Sequence, residues 1–291
     1  MGSIPQSADF YKTDSPNYDI YRPQYPQTLI DKIAEFGKGK KAYLDLCTGP
    51  GTLFFKLFRN LSEIAVSIDG SEDQIKVASS RLADLKEKES DLPNRVEIIK
   101  GDVYGLVEEL KARGISTKFD LITIGTALHY FDIAKLFPYI TDHLLAPEGK
   151  LFILFYRSDH LAYNIKDRES AKKAQQHYNN FNILTFPYFK GKLTKYYEDF
   201  SKYFKKVVKE SIIVDDYLSI EDYLRRLRTY SHYQFFLIEA PRGENWEDPI
   251  ETHRRYLEND LKEYTEEFGE KYPEPPLLMK VPVHYFECSN I

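Results

Sequence analysis

At 291 residues with 42% hydrophobic side chains, the chain can bury one large core, which excludes an intrinsically disordered protein. Its 45 acidic against 40 basic residues leave a net charge of −5, which counts against a polyphosphate-gripping protein; the small basic clusters at residues 202–209 and 225–228 make no groove. Two distant cysteines, no apolar run near the roughly 18 residues that span a bilayer, and no signal peptide in MGSIPQSADF lead to the expectation of a metal-free cytoplasmic enzyme.

Residues 1–27 are polar, rich in Tyr and interrupted by Pro16, Pro23 and Pro26, which prevent a long helix. A short amphipathic helix is expected over residues 28–36, ended by Gly37 and Gly39. Strands and helices then alternate. Strands are expected at residues 42–47, 64–68, 95–100, 119–124 and 151–155, with helices at 53–59, 71–86, 104–112 and 133–145 between them. Short apolar strands separated by helices imply a parallel sheet covered on both faces by right-handed crossovers. After Tyr156 the pattern changes to a polar helical region over residues 162–203. A sixth strand at 207–214, helices at 220–228 and 248–268, and a final strand at 281–288 after the breaker run YPEPP complete the chain. The whole of 1–291 is expected to form one α/β domain. Residues 1–40 are its N-terminal lid and first helix, 41–156 its cofactor-binding half, and 157–291 its substrate-side half.

In an open parallel sheet, ligands lie beyond the carboxyl ends of the strands, so the residues that follow each strand are the site candidates. Gly49 and Gly51 in LDLCTGPGT let backbone approach a ligand closely, although a plain turn would use them as well. Asp69, which ends the second strand, can accept both hydroxyls of an adenosine ribose, or simply open the next helix. Asp102 can accept from an adenine amino group beside the apolar Val103; a helix cap is the alternative. After the fourth strand, Gly125 leaves room for a cofactor tail and His129, Tyr130 and Phe131 follow.

Taken in order, these segments resemble a known family. LDLCTGPGT is similar to the first motif of class I methyltransferases, and IDGSEDQI, GDVYGL and FDLITIGTALHYFD resemble the three that follow. LLAPEGKLFILFY resembles the turn and fifth strand of the same fold, and the match covers residues 42–156. The segments Tyr21-Arg22-Pro23-Gln24-Tyr25-Pro26 and Thr229-Tyr230-Ser231-x-Tyr233 are similar to segments of the trans-aconitate methyltransferase-like small-molecule group. The resemblance implies a Rossmann-like, mainly parallel seven-stranded sheet with helices on both faces, a reversed last strand and a helical insertion after the fifth strand. It also implies S-adenosylmethionine as cofactor, S-adenosylhomocysteine as product, and no metal.

On that resemblance the expected cofactor residues are Asp45, Gly49, Gly51, Asp69, Gln74, Asp102, Val103 and Gly125, with Tyr21 and Arg22 closing over the cofactor as a lid and Arg22 pairing with a carboxylate. His129 and Tyr130 are expected to touch the substrate, Arg157 and Arg228 to clamp its acid group, and Tyr230 and Tyr233 to line its pocket. The sequence departs from the family pattern at Cys47, which replaces the first Gly of the motif, and at Tyr130 and Tyr230, which replace Trp. The expected reaction is methyl transfer to a small molecule, in particular O-methylation of a carboxylate. A sulfonium is an activated leaving group and a carboxylate is already ionised, so alignment is the protein's main task. Rival readings are a methyltransferase acting on RNA or protein, a cofactor-binding relative without catalysis, and a nicotinamide enzyme. The last fails the Gly-x-Gly-x-x-Gly spacing, because Phe54 stands where the third Gly belongs. Monomer and dimer remain equally open.

Overall fold

A computed structural model describes residues 19–60, 63–88, 92–157, 160–165, 168–189, 196, 198–243, 246–269 and 271–290. Residues 1–18 of the expected lid and residues 190–195 of the expected insertion lie outside this set.

The centre is a sheet whose first five strands are β1 (Ala42–Leu46), β2 (Ile64–Asp69), β3 (Arg95–Lys100), β4 (Phe119–Gly125) and β5 (Leu145–Tyr156). They pair in parallel in the order β3-β2-β1-β4-β5. Alternate residues serve opposite faces. Tyr43, Leu121, Phe152 and Leu154 belong to one core cluster; Leu44, Leu46, Ile122, Ile124, Leu151 and Ile153 belong to the other. All of β1 is buried, as a strand covered on both sides must be.

Helices α1 (Gln27–Gly37), α2 (Phe54–Leu57) and α3 (Glu72–Lys88) contribute Ile33, Phe54 and Leu82 to the first cluster. Helices α4 (Leu106–Ala112) and α5 (Ile133–Tyr139) contribute Leu110 and Phe137 to the second. This is the doubly wound architecture expected from the sequence.

The reversed strand is β8 (Leu277–Ser289), antiparallel both to β5 and to β7 (Lys206–Leu218). An eighth strand departs from the seven expected. Strand β6 (His160–Tyr163) continues along the β5 side of β8 and runs into the start of the region expected to be helical from residue 162. Pro282 is tolerated inside β8 because it falls between the last β5 pair, Tyr156 with Val283, and the first β6 pair, His160 with Lys280. Its carbonyl accepts the Arg157 amide at 3.2 Å, so its missing N–H faces that gap and no ladder bond is lost.

The expected APEGK turn instead lies within β5, as an irregularity where the β4 register jumps from Leu145 to Lys150. Gly149 is required there, since a Cβ would come within 2.8 Å of the Phe119 carbonyl.

Helices α6 (Arg168–Thr185), α7 (Ile220–Arg228), α8 (Ser231–Glu239) and α9 (Pro249–Phe268) form a layer beside the sheet, with α6 against β6 and α9. Asp248 caps α9 by accepting the Ile250 amide at 2.9 Å, followed by Pro249 at the first helical position.

Candidate active site

In this strand order the winding switches sides between the parallel neighbours β1 and β4, and the crevice at their carboxyl ends is the place for a ligand. The β1 end is a turn of left-handed residues: Cys47 at φ 60°, Gly49 at 57° and Gly51 at 85°. Cys47 holds the conformation that the motif's glycine would take, so the substitution keeps the turn at the cost of side-chain strain. Gly51 suits this turn through its positive φ and the space it leaves. A Cβ there would stand 2.3 Å from the Phe55 ring.

Asp69 organises this turn from the neighbouring strand. One carboxylate oxygen accepts the Gly49 amide and the other the Ser71 amide, both at 2.8 Å. Burial holds the carboxyl above its usual range, against the pull of the Ser71, Gly49 and Gly70 amides.

Asp45 lies deeper. Its Oδ1 accepts from the Thr123 hydroxyl at 2.5 Å, and burial pushes the carboxyl up to about 7, with the Thr123 hydroxyl opposing and the Asp69 charge adding. Four buried polar atoms around this crevice have no hydrogen-bond partner among the described residues: Asp45 Oδ2, Thr48 Oγ1, Ser67 Oγ and Gln74 Oε1. Unsatisfied buried acceptors are costly, and three of them belong to residues of the β1 turn or to the helix start facing it. Such a set fits a polar ligand.

Asp102 is exposed and accepts the Tyr104 amide at 2.7 Å, capping the short turn after β3, while Val103 beside it is buried. Gly125 ends β4 where a Cβ would come within 2.9 Å of the Tyr25 hydroxyl. That hydroxyl meets Thr126 Oγ1 at 2.9 Å, so the chain entering α1 is fastened to the β4 end. Thr126 itself adopts φ 52°.

Two cavities meet at this point. A narrow one of about 50 Å³ is lined by Asp45, Cys47, Thr48, Gly49, Tyr25, Gly125 and neighbours. A larger one of about 460 Å³ lies beneath α6 and α8, walled by His129, Tyr178, Asn179, Asn182, Ile183, Phe186, Phe189, Arg157, Tyr230 and His232. Arg22, Thr126 and Tyr156 line both. Arg22 donates to the Thr229 carbonyl at 2.5 Å and lies 5.0 Å over the Tyr230 ring.

The structure thus gathers most of the expected residues and separates a few. Asp45, Gly49 and Gly125 line one crevice; Gly51 belongs to the same turn, Asp69 accepts the Gly49 amide from behind it, and Gln74 lies 3.9 Å from a Gly49 Cβ position. His129, Arg157 and Tyr230 reach the large cavity; Tyr130 sits against the His129 ring at 4.1 Å without lining it.

Three others are engaged outside it. The Tyr21 hydroxyl accepts from Arg225 at 2.5 Å, Arg228 pairs with Glu251 at 2.8 Å, and the Tyr233 hydroxyl donates to Asp248 at 2.9 Å. Each has a local partner that outcompetes a place in the cavity. Arg22 donates to the Thr229 carbonyl among its contacts.

Residues not anticipated include Thr126, Tyr156, Tyr178, Asn182, Phe186 and His232. On α6 the cavity residues recur at helical spacing, but polar residues all around that helix hide the stripe from a reading by hydropathy. His232 is buried with Nε2 unpartnered, and burial together with the Arg22 charge pushes its imidazole down to about 3, so it is neutral at physiological pH.

The chain resembles methyltransferases by three routes. A methyltransferase-domain family model matches residues 38–210, more than half of the chain. Probable S-adenosylmethionine-dependent methyltransferase CRG1 of Saccharomyces cerevisiae is 24% identical over 144 residues, covering 49% of this chain and 45% of that protein; the chain therefore aligns with under half the length of this relative.

Among solved structures, a protein from Anaeromyxobacter dehalogenans named as a type II methyltransferase superposes with a TM-score of 0.57 at 14% identity, over 92% of this chain and 97% of that one. The YcgJ protein from Bacillus subtilis does so with 0.51 at 15% identity, over 91% and 100%. The structural likeness establishes the fold, and the family model carries the assignment: the chain belongs to the methyltransferase-domain family.

Proposed function

We propose that this protein transfers a methyl group from S-adenosylmethionine to a small molecule, with a carboxylate oxygen as the accepting atom. The observation that carries the reading is the junction of the two cavities, one a narrow crevice of cofactor character, the other a wider aromatic-lined chamber, sharing Arg22, Thr126 and Tyr156. When bound, the cofactor supplies an electrophilic methyl on sulfur.

The protein's residues hold and orient. Asp69 is placed for the ribose hydroxyls and Asp45 for an ammonium. Gly49 and Gly51 bring bare backbone against the cofactor's tail. Val103 offers an apolar face with Asp102 and Gln74 at its margin. The Tyr25 and Tyr156 rings, 5.9 Å apart, supply π faces that attract a cationic sulfur by roughly 0.5–2 kcal/mol each.

The acceptor side supports a small ligand. A volume of about 460 Å³ suits a metabolite-sized molecule, and the walls come from α6, α8 and the loop after β4. Arg22 and Arg157 place positive charge at the chamber wall for a carboxylate. The net charge of −5 stands against an RNA acceptor. Two quoted segments, residues 21–26 and 229–233, also meet here, with Arg22 bonded to Thr229 and over Tyr230. Their contact supports placing the chain with the trans-aconitate methyltransferase-like group, and the described fold has no helix long and apolar enough to cross a membrane.

The test is incubation with radiolabelled S-adenosylmethionine and a panel of organic acids, alcohols and amines. Label appearing in a product that releases methanol under mild base supports a carboxyl ester. Label in a base-stable product overturns the carboxylate reading, and no transfer to any acceptor overturns the small-molecule reading.

A further inference from the structure

At the junction of the chamber with the crevice stand Arg22 and Thr126, and the neutral His232 lines the wall with a buried, unpartnered Nε2. Ile183 and Phe186 line the same chamber, with Asn179 and Asn182 beside them, yet Ile183 is 73% and Phe186 44% exposed, so they stand where the cavity opens to solvent. Leu184, adjacent on the last turn of α6, is 50% exposed. Large apolar side chains standing in water at a cavity mouth are unusual, because burying each would be favourable; contiguous ones mark a surface that a ligand covers.

From this we infer that the acceptor is an amphiphilic acid: a carboxylate head directed to the Arg22 and Thr126 junction, and a hydrocarbon tail that leaves the chamber across Ile183 and Phe186. The inference rests on the reading of the chamber as the acceptor site and narrows its substrate class. Three observations combine. A charged guanidinium stands where the chamber meets the crevice, aromatic rings line the walls, and Ile183 and Phe186 stand in solvent at the mouth, where a compact polar metabolite would leave them uncovered. A compact polyacid of the same size would occupy the inner end and leave the lip wet. A tail that contacts the lip gains from each methylene it shelters from water.

The experiment is calorimetric titration of the full chain, saturated with S-adenosylhomocysteine, with straight-chain monocarboxylates from butanoate to dodecanoate below their micellar concentrations, beside the matching alcohols. Affinity is expected to rise about two- to fourfold per added methylene once the chain reaches the lip. The double substitution Ile183→Ser with Phe186→Ser adds no charge and should flatten that rise, read as the slope per methylene in a variant that keeps a cooperative thermal transition. A length-independent affinity, or an unaltered rise in the double variant, overturns the inference. Failure of S-adenosylhomocysteine to bind overturns the cofactor reading beneath it. Alcohols binding as well as acids with the same slope keep the apolar lip and overturn the acid head.

Discussion

Asp69 shows how one side chain can serve fold and ligand together. It accepts two backbone amides across the β1 turn, so its removal loosens the turn as well as any ribose contact. Asp69→Ala is expected to lower S-adenosylmethionine affinity about 10- to 100-fold in calorimetry, since hydrogen bonds to charged groups contribute roughly 1.5–3 kcal/mol. An unchanged affinity would remove Asp69 from the site.

Asp45 makes a pH prediction with a definite sign. Its proton is held up to about pH 7 in the folded state but only to about 3.9 in an unfolded chain, so folded stability is full at low pH and declines as pH rises across that interval. Asp45→Asn keeps the acceptor for Thr123 and has no proton to lose. The thermal midpoint of the variant should therefore gain on the parent between pH 4 and pH 8, and a constant difference would contradict the assignment. Gly51→Ala should cost about 2–3 kcal/mol in urea unfolding, from a left-handed residue carrying a Cβ and a displaced Phe55.

Elements differ in how plainly the sequence declares them. The central strands β1 and β4 are largely buried and read as short apolar runs, and the half-buried edge strand β3 keeps enough apolar residues to read as a strand, which makes the five parallel strands legible. Strand β6 was hidden because its four residues take their partner from β8, more than a hundred positions away. Helix α8 was read as a motif segment, and its apolar residues show no one-sided stripe because they face the chamber, the core and solvent in turn. Of the site, the glycine turn and the two aspartates were legible as chemistry at strand ends. The chamber was not, since a cavity is the product of packing between α6, α8 and the β4 loop.

Arg226 joins elements that sequence distance separates. It is buried, donating to Asp216 on β7 at 2.6 Å and to the Tyr21 carbonyl at 2.7 Å. Arg226→Ala is expected to destabilise the protein by about 1–3 kcal/mol, from the lost hydrogen bonds and packing of a buried guanidinium whose partner Asp216 remains partly in water. The loss should also quicken proteolysis near Tyr21, and a neutral substitution would show the tie to be idle.

For the molecule as a whole, the architecture divides labour across the sheet. The β1 and β2 ends build a polar crevice in which buried acceptors lack partners, and the helical layer roofs an aromatic chamber next to it. The N-terminal segment crosses both. Asp19 pairs with Arg81 on α3 at 2.7 Å, and Arg22 reaches Thr229 just before α8. A chain that belongs to the methyltransferase-domain family and folds this way presents its two pockets end to end, as group transfer between two bound molecules requires.

A crystal structure with S-adenosylhomocysteine tests that arrangement most directly. The account predicts ribose hydroxyls on Asp69, the amino-acid tail at Asp45 and Gly49, and sulfur at the opening bounded by Thr126, Tyr156 and Arg22. Density for the nucleoside elsewhere, or a sulfur turned away from the chamber, would contradict it.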